Sequence, residues 1–321
     1  MNAMVYHKYG SPDVLQLNEV EKPTPRDDEV LVSVQVASVN SWDWDLVRGK
    51  PFLARLGALS KPKHKILGAD IAGKIEEVGR NVKQLKPGDE VFGDISGCSW
   101  GGFAEYVCAR EKALALKSDS MTFEEAAATP QAAALALQGL RDKGQIQPGQ
   151  SVIINGAGGG VGTFAIQIAK SFGAEVTGVD STGKLDLMRS IGADQVIDYT
   201  VEDFTKNGQC YDLILDVAAS RSIFDYKRSL TSQGIYVMVG YSTLLLYQML
   251  FFGPWISMTG SRKTGLLLYK PSTNDLDIMK EFFEAGKVVP VIDRRYPLRE
   301  LPEAVQYLGE GHAKGKVIIT M

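Results

Sequence analysis

From residue 155 to 162 the chain reads Asn155-Gly-Ala-Gly-Gly-Gly-Val-Gly162, between an apolar run, Ser151-Val-Ile-Ile154, and a stretch from Val161 to Phe172 that predicts a helix. The glycines permit a tight turn and let the backbone approach a pyrophosphate. The helix that follows directs its N-terminal amides at the same anion. Gly158, Gly159, Gly160, Val161 and Gly162 are therefore candidate dinucleotide-binding residues. A second predicted strand, Glu175-Val-Thr-Gly-Val179, ends at Asp180, 18 residues beyond Gly162. A carboxylate there would accept hydrogen bonds from a ribose 2′-hydroxyl and repel a 2′-phosphate, which favours NAD(H). Ser181, Thr182 and Lys184 argue the other way, because they could form a phosphate pocket with Lys184 supplying the charge. The residues leave this choice open, and Asp180 could also simply cap the next helix.

The rest of the composition narrows the chemistry. The 321 residues are 45% apolar and 23% charged, with a net charge of −3, as in folded globular proteins of about two domains. No basic excess suggests a nucleic-acid partner. Three cysteines (Cys98, Cys108, Cys210) and three histidines (His7, His64, His312) lack metal-ligand spacing, which argues against a Cys- or His-rich zinc site. The scattered cysteines fit a reducing compartment, and no signal peptide is read, so a cytoplasmic location is expected. The apolar segment Leu244–Ile256 is too short for a spanning helix and carries Gly253-Pro254 as a break, which suggests a buried or interface segment, with a membrane-surface contact as the alternative.

Two textures position the motifs. Up to about residue 120 short strands alternate with turns: Val30–Ala37, Ile71–Val78, a turn feeding a strand over Lys86–Phe92, and Gly101–Val107. Thr122-Phe-Glu-Glu125 then has the form of a capping box opening an Ala-rich helix, and a second helical stretch runs from Ala132 to Asp142. Beyond it strands and helices alternate, which predicts a parallel sheet with helices on both faces. The closing strand, Gly315–Thr320, returns to the first domain in this reading.

The chain resembles the medium-chain dehydrogenase/reductase superfamily, in its zinc-free quinone oxidoreductase and enone reductase branch. The resemblance rests on Met4-Val-Tyr-His-Lys-Tyr-Gly-Ser-Pro-Asp-Val-Leu15, Ser38-Val-Asn-Ser-Trp-Asp43, Lys86-Pro-Gly-Asp-Glu-Val91, Ala157-Gly-Gly-Gly-Val-Gly162, Ile191-Gly-Ala-Asp194 and Gly311-His-Ala-Lys-Gly-Lys-Val317, and covers essentially the whole length. It implies a GroES-like β-rich catalytic domain (1–122 and 293–321) and a Rossmann-type doubly wound nucleotide-binding domain (123–292), with the active site in the cleft between them. Zinc-dependent members carry a Cys in the substrate loop and Gly-His-Glu after it. This chain has Asn40 and Ser41 in the loop and Gly68-Ala69-Asp70 afterwards. Without a Lewis acid, the chemistry left is hydride transfer to an acceptor that takes hydride at carbon.

By resemblance, Asn40 lies near the nicotinamide and could polarise the acceptor oxygen; Asp43 could orient it or relay a proton. Tyr241, after Gly240 at a strand end, could donate its hydroxyl, and Trp42, Trp44, Phe52 and Tyr241 could wall a pocket for flat acceptors. Gly160 and Val161 amides match pyrophosphate contacts. Ser181, Lys184 and Tyr199 match positions around the adenosine 2′ group, and Val217, Ala218, Gly240 and Tyr241 follow strand ends at the cofactor. Lys316 matches a basic position near the diphosphate. NADP(H) is favoured on this basis, with NAD(H) as the alternative and no metal. Three residues depart from close relatives: Asp180, Gly183 and Leu135. A homodimer is expected, with Ile256-Ser-Met-Thr-Gly260 as the interface strand. Two other readings stay open: a cofactor-binding redox-sensing or structural module without robust turnover, and a metal-independent dehydrogenase or enoyl reductase.

Overall fold

The computed structural model describes every residue except 52–54, 56, 57, 59, 60 and 241, so Phe52 and Tyr241 lie outside the described residues. The chain divides into two compact units. The first comprises Met1–Ala132, Pro271–Gly286 and Pro290–Met321; the second comprises Ala133–Lys270 and Lys287–Val289.

The first unit opens with β1 (Asn2–Val5), β2 (Gln16–Glu19), β3 (Glu29–Val39), α1 (Ser41–Arg48), β4 (Asp70–Val78), β5 (Glu90–Asp94), β6 (Tyr106–Arg110), β7 (Leu114–Leu116) and α2 (Phe123–Ala128). α3 (Pro130–Leu137) leads into the second unit, which continues with β8 (Ser151–Asn155), α4 (Gly160–Ser171), β9 (Glu175–Asp180), α5 (Leu185–Ser190), β10 (Gln195–Asp198), β11 (Tyr211–Asp216), α6 (Ile223–Arg228), β12 (Leu230–Met238), α7 (Thr243–Thr259) and β13 (Lys263–Leu266). The chain then adds α8 (Thr273–Glu284), β14 (Ile292–Pro297), α9 (Leu301–Gly309) and β15 (Lys316–Thr320) to the first unit.

β3 is the spine of the first unit. It pairs antiparallel with β4, β6 and β15, and the sheet runs β14-β15-β3-β4-β5-β7. Its β-branched alternation puts Val30, Val32 and Val34 into one core. A register shift between Val34 and Val36 then turns Val36 to the opposite face. There Val36, Ala72, Phe92, Ala115 and Ile318 meet Ala126, Ala127 and Ala128 of α2. The alanines let this helix lie close on the sheet, which is why residues 123–132 belong to the catalytic unit and not, as expected, to the nucleotide-binding one. Leu276 of α8 joins the same cluster, so residues 271–286 belong to the first unit as well.

The second unit is a six-stranded parallel sheet in the order β10-β9-β8-β11-β12-β13. Val152, Ile153 and Ile154 in β8, and Leu213, Ile214 and Leu215 in β11, are fully buried. Continuous apolar runs of this kind are what a parallel sheet covered on both faces requires. The order reverses between β8 and β11, and the crevice beyond their C-terminal ends is where doubly wound sheets bind ligands.

The segment after residue 243 differs from the sequence expectation. Helix α7 runs through Gly253-Pro254 without ending, and Ile256–Thr259, expected as a strand, is its last part. The sheet edge is β13, which pairs with β12. α7 buries Leu245, Met249 and Ile256 but exposes Leu244, Tyr247, Leu250, Phe251, Trp255 and Met258. Among the described residues no helix is long and apolar enough to cross a membrane.

Candidate functional site

In the first unit, chemistry gathers where β3, β4 and β15 lie side by side. Ser38 of β3 is in register with Asp70 of β4, and Asp70 with Asp94 of β5. Asn40 follows β3 directly and is the N-cap of α1. Its side chain is held at both ends. Oδ1 accepts from Lys316 Nζ at 2.5 Å, and Nδ2 donates to Asp70 Oδ2 at 3.0 Å. Asp70, completely buried, also accepts from the Gln131 amide at 3.1 Å and from Ser38 Oγ at 3.4 Å, and lies 3.5 Å from Lys316 Nζ. Burial pushes the Asp70 carboxyl up to about 6, against the pull of Lys316. The same burial lowers the Lys316 ammonium, opposed by Asp70 and Asp43.

Asp43 is also fully buried. Its Oδ2 accepts the Asn40 backbone N–H at 2.8 Å and its Oδ1 the Gly68 N–H at 3.1 Å. Burial raises it to about 7, although both backbone donors favour the anion. This geometry ties the start of α1 to the chain before β4 and gives Asp43 an orienting place. Lys316, expected at a diphosphate, is 2% exposed with its amine committed to Asn40 and Asp70. Of the expected pocket walls, Trp42 is exposed, but Trp44 packs against Gly309 of α9, with the Arg48 guanidinium 4.4 Å from its ring centroid. Trp44 is thus a packing residue of this unit.

This donor set does not fit zinc. Asn40 offers an amide whose oxygen already faces an ammonium, Ala69 offers a methyl group, and the Asp70 carboxylate is ringed by donors. A cation added here would meet Lys316. Among the described residues no group of three or more His, Cys, Asp or Glu is arranged to hold a metal ion.

In the second unit the glycine turn connects β8 to α4 as expected. The amides of Gly160, Val161 and Gly162 belong to the first turn of α4, where an N–H has no intrahelical acceptor. Gly162 sits so close to the turn that a Cβ would lie 2.2 Å from the Gly156 carbonyl oxygen. The backbone amides at this helix start suit a diphosphate. Asp180 is turned inward. Its Oδ2 accepts the Gly158 N–H at 2.9 Å, its Oδ1 the Ser181 N–H at 2.8 Å, and Lys184 Nζ lies 3.4 Å away. Its charge therefore braces the turn beside a cation, and it is not the N-cap of the next helix. Ser181 is partly exposed; Tyr199, just after β10, is exposed, and its backbone N–H donates to the Asp180 carbonyl at 3.1 Å.

At the point of strand reversal, Asn155 and Asp216 end β8 and β11 in register. Asn155 Nδ2 donates to Asp216 Oδ1 at 2.8 Å and to the Ala218 carbonyl at 3.1 Å; the Val217 and Ala218 amides donate to the Asn155 carbonyl. Tyr236 OH donates to Asp216 Oδ2 at 2.7 Å, and burial pushes Asp216 up to about 6. Gly240 lies so close to Val217 that a Cβ would overlap its carbonyl oxygen. Sequence reasoning named Val217, Ala218 and Gly240 but missed Asp216 and Tyr236, whose only signal is a polar group at the end or within a buried apolar run.

A parallel sheet with a glycine turn at its switch point, joined to a β-rich unit bearing a buried Asn–Asp–Lys cluster, defines the class of two-unit dinucleotide-dependent oxidoreductases. Residues 26–119 match the alcohol dehydrogenase GroES-like domain family, and residues 191–319 the zinc-binding dehydrogenase family. The chain is 35% identical to a 2-methylene-furan-3-one reductase of Solanum lycopersicum, covering 99% of this chain and 79% of that one. It is 33% identical, with the same coverage, to a chloroplastic NADPH-dependent alkenal/one oxidoreductase of Arabidopsis thaliana. Among solved structures it superposes on the quinone oxidoreductase of Coxiella burnetii with a TM-score of 0.88, at 28% identity, over 100% of this chain and 99% of that one. The chain belongs to the medium-chain dehydrogenase/reductase superfamily, in its quinone oxidoreductase branch, and is an oxidoreductase.

Proposed function

We propose that this protein is an NADPH-dependent reductase that delivers hydride to quinones or α,β-unsaturated carbonyls without a metal. The observation that carries the reading is the helix start at Gly160–Gly162, whose backbone amides lack intrahelical acceptors, taken with relatives that are named for NADPH, enones and quinones. The reduced nicotinamide supplies the hydride when bound. The chain's own residues bind, orient and stabilise. The α4 amides hold the diphosphate. Asn40 donates an amide N–H to the acceptor oxygen, where negative charge grows as carbon takes the hydride. A proton from solvent then completes the saturated carbonyl or the hydroquinone.

Lys184 decides the cofactor in this reading. Asp180 would repel a 2′-phosphate were it unpaired, and Lys184 offsets that charge while Ser181 and Tyr199 stand beside the phosphate. Purified protein titrated with NADPH and NADH should bind NADPH more tightly and oxidise it with a naphthoquinone or a 2-alkenal, unaffected by chelators. In Lys184→Ala the NADPH preference should fall by about tenfold or more, the scale of one charged hydrogen bond. Tight NADPH binding with no turnover across the panel would instead favour a cofactor-sensing module.

We further propose a homodimer built on the exposed apolar face of α7, where Leu244, Tyr247, Leu250, Phe251, Trp255 and Met258 offer a large apolar surface beside the β13 sheet edge. Light scattering at micromolar concentration should give twice the 35.0 kDa chain mass; a monomer would count against it.

A further inference from the structure

An asparagine amide presents two ends of nearly the same shape, one accepting and one donating, and only its partners decide which end faces which way. At Asn40 those partners are of opposite kinds. Lys316 carries donors only, so it selects Oδ1, at 2.5 Å. Asp70, as a carboxylate, accepts only, so it selects Nδ2, at 3.0 Å. Lys316 and Asp70 are themselves 3.5 Å apart and 2% and 0% exposed, so neither can swing away to water. Asp70 is fixed in turn by the Gln131 amide and Ser38, and the Lys316 amine also lies 3.5 Å from the Val39 carbonyl. Asn40 Nδ2 has two hydrogens and gives one to Asp70. That leaves the second hydrogen for another acceptor.

We infer that Lys316 and Asp70 are positioning residues that lock the amide of Asn40 in one orientation, so that its remaining N–H, and never its oxygen, faces the hydride acceptor. This inference rests on the reading of Asn40 as the donor to the acceptor oxygen and adds what makes that donor reliable. An amide free to flip would offer a lone pair to a growing negative charge half of the time. The buried ion pair removes that state before the acceptor arrives, which is electrostatic preorganisation in its simplest form. It also assigns Lys316 to Asn40 instead of to a cofactor phosphate.

A double-mutant cycle tests the inference, with kcat and KM measured under saturating NADPH and folding followed by thermal melting. Lys316→Met alone should lower kcat by about tenfold to hundredfold, as loss of groups that orient a reacting ligand does elsewhere, with little change in the KM of the acceptor. In an Asn40→Ala background the same substitution should lower kcat no further, because a residue acting through Asn40 has nothing left to act on. Lys316→Gln, which keeps an N–H toward Oδ1 without the charge, should retain more of kcat than Lys316→Met and serves the cycle if the Met variant does not fold. Independent, multiplying losses in the double variant would overturn the inference, as would an unchanged kcat in Lys316→Met when Asn40→Ala is impaired. If Asn40→Ala is itself fully active, the donor reading fails and the positioning inference falls with it; if Asn40→Ala is impaired but the losses multiply in the double variant, the positioning inference alone fails.

Discussion

Gly162→Ala should lose NADPH binding. The added Cβ would lie 2.2 Å from the Gly156 carbonyl oxygen and 2.5 and 2.6 Å from the Ala157 Cα and carbonyl carbon. All three are backbone atoms of the phosphate turn, so no side chain can rotate aside. Either the turn opens or α4 is pushed off the sheet, and both displace the amides at Gly160 and Val161. Overpacking of this kind costs about 3 kcal/mol. If the loss falls on the bound state, it corresponds to roughly a hundredfold weaker NADPH. Fluorescence titration with NADPH and a thermal melt read the two parts. Gly159→Ala is the control for stability, because its Cβ would rest 3.6 Å from the same oxygen, an ordinary contact. NADPH affinity at the wild-type level in Gly162→Ala would mean that the dinucleotide is not held by this turn.

Asn40→Ala should abolish most turnover while leaving the cofactor bound. Removal of one preorganised donor at a developing oxyanion costs about 10² to 10³ in kcat. The substitution also strips Lys316 of its 2.5 Å partner and Asp70 of one donor inside a buried cluster. A buried charge deprived of a partner costs about 3 kcal/mol or more, so the melting temperature should fall as well. The informative quantities are the NADPH dissociation constant, expected to stay near wild type, and kcat with a naphthoquinone or 2-alkenal. Unchanged kcat in folded Asn40→Ala would remove Asn40 from the chemistry.

Much of the second unit was legible in the sequence because its signals are local. A buried strand must be an unbroken apolar run, so Ser151–Ile154 and Leu213–Asp216 announce themselves. A turn that meets phosphate must be glycine-rich, so residues 156–162 do too. The same reasoning failed for α7: Gly253-Pro254 reads as a break, yet the helix continues and packs Leu245, Met249 and Ile256. It also misplaced α2, since an Ala-rich helix carries no label for the sheet it will lie on.

By itself the sequence determined that a dinucleotide fold is present, that Cys and His are missing where zinc would need them, and that Asn40, Asp43 and Lys316 are of interest. It could not say that Asn40 and Lys316, 276 residues apart, share a hydrogen bond, or that Asp180 faces its own glycine turn. Those facts depend on β15 returning to pair with β3 and on β9 lying beside β8. Pairings between distant strands are fixed by the packing of whole faces, not by any short stretch of residues. The tertiary structure therefore decided the partners, and with them which atoms of a named residue remain available for chemistry.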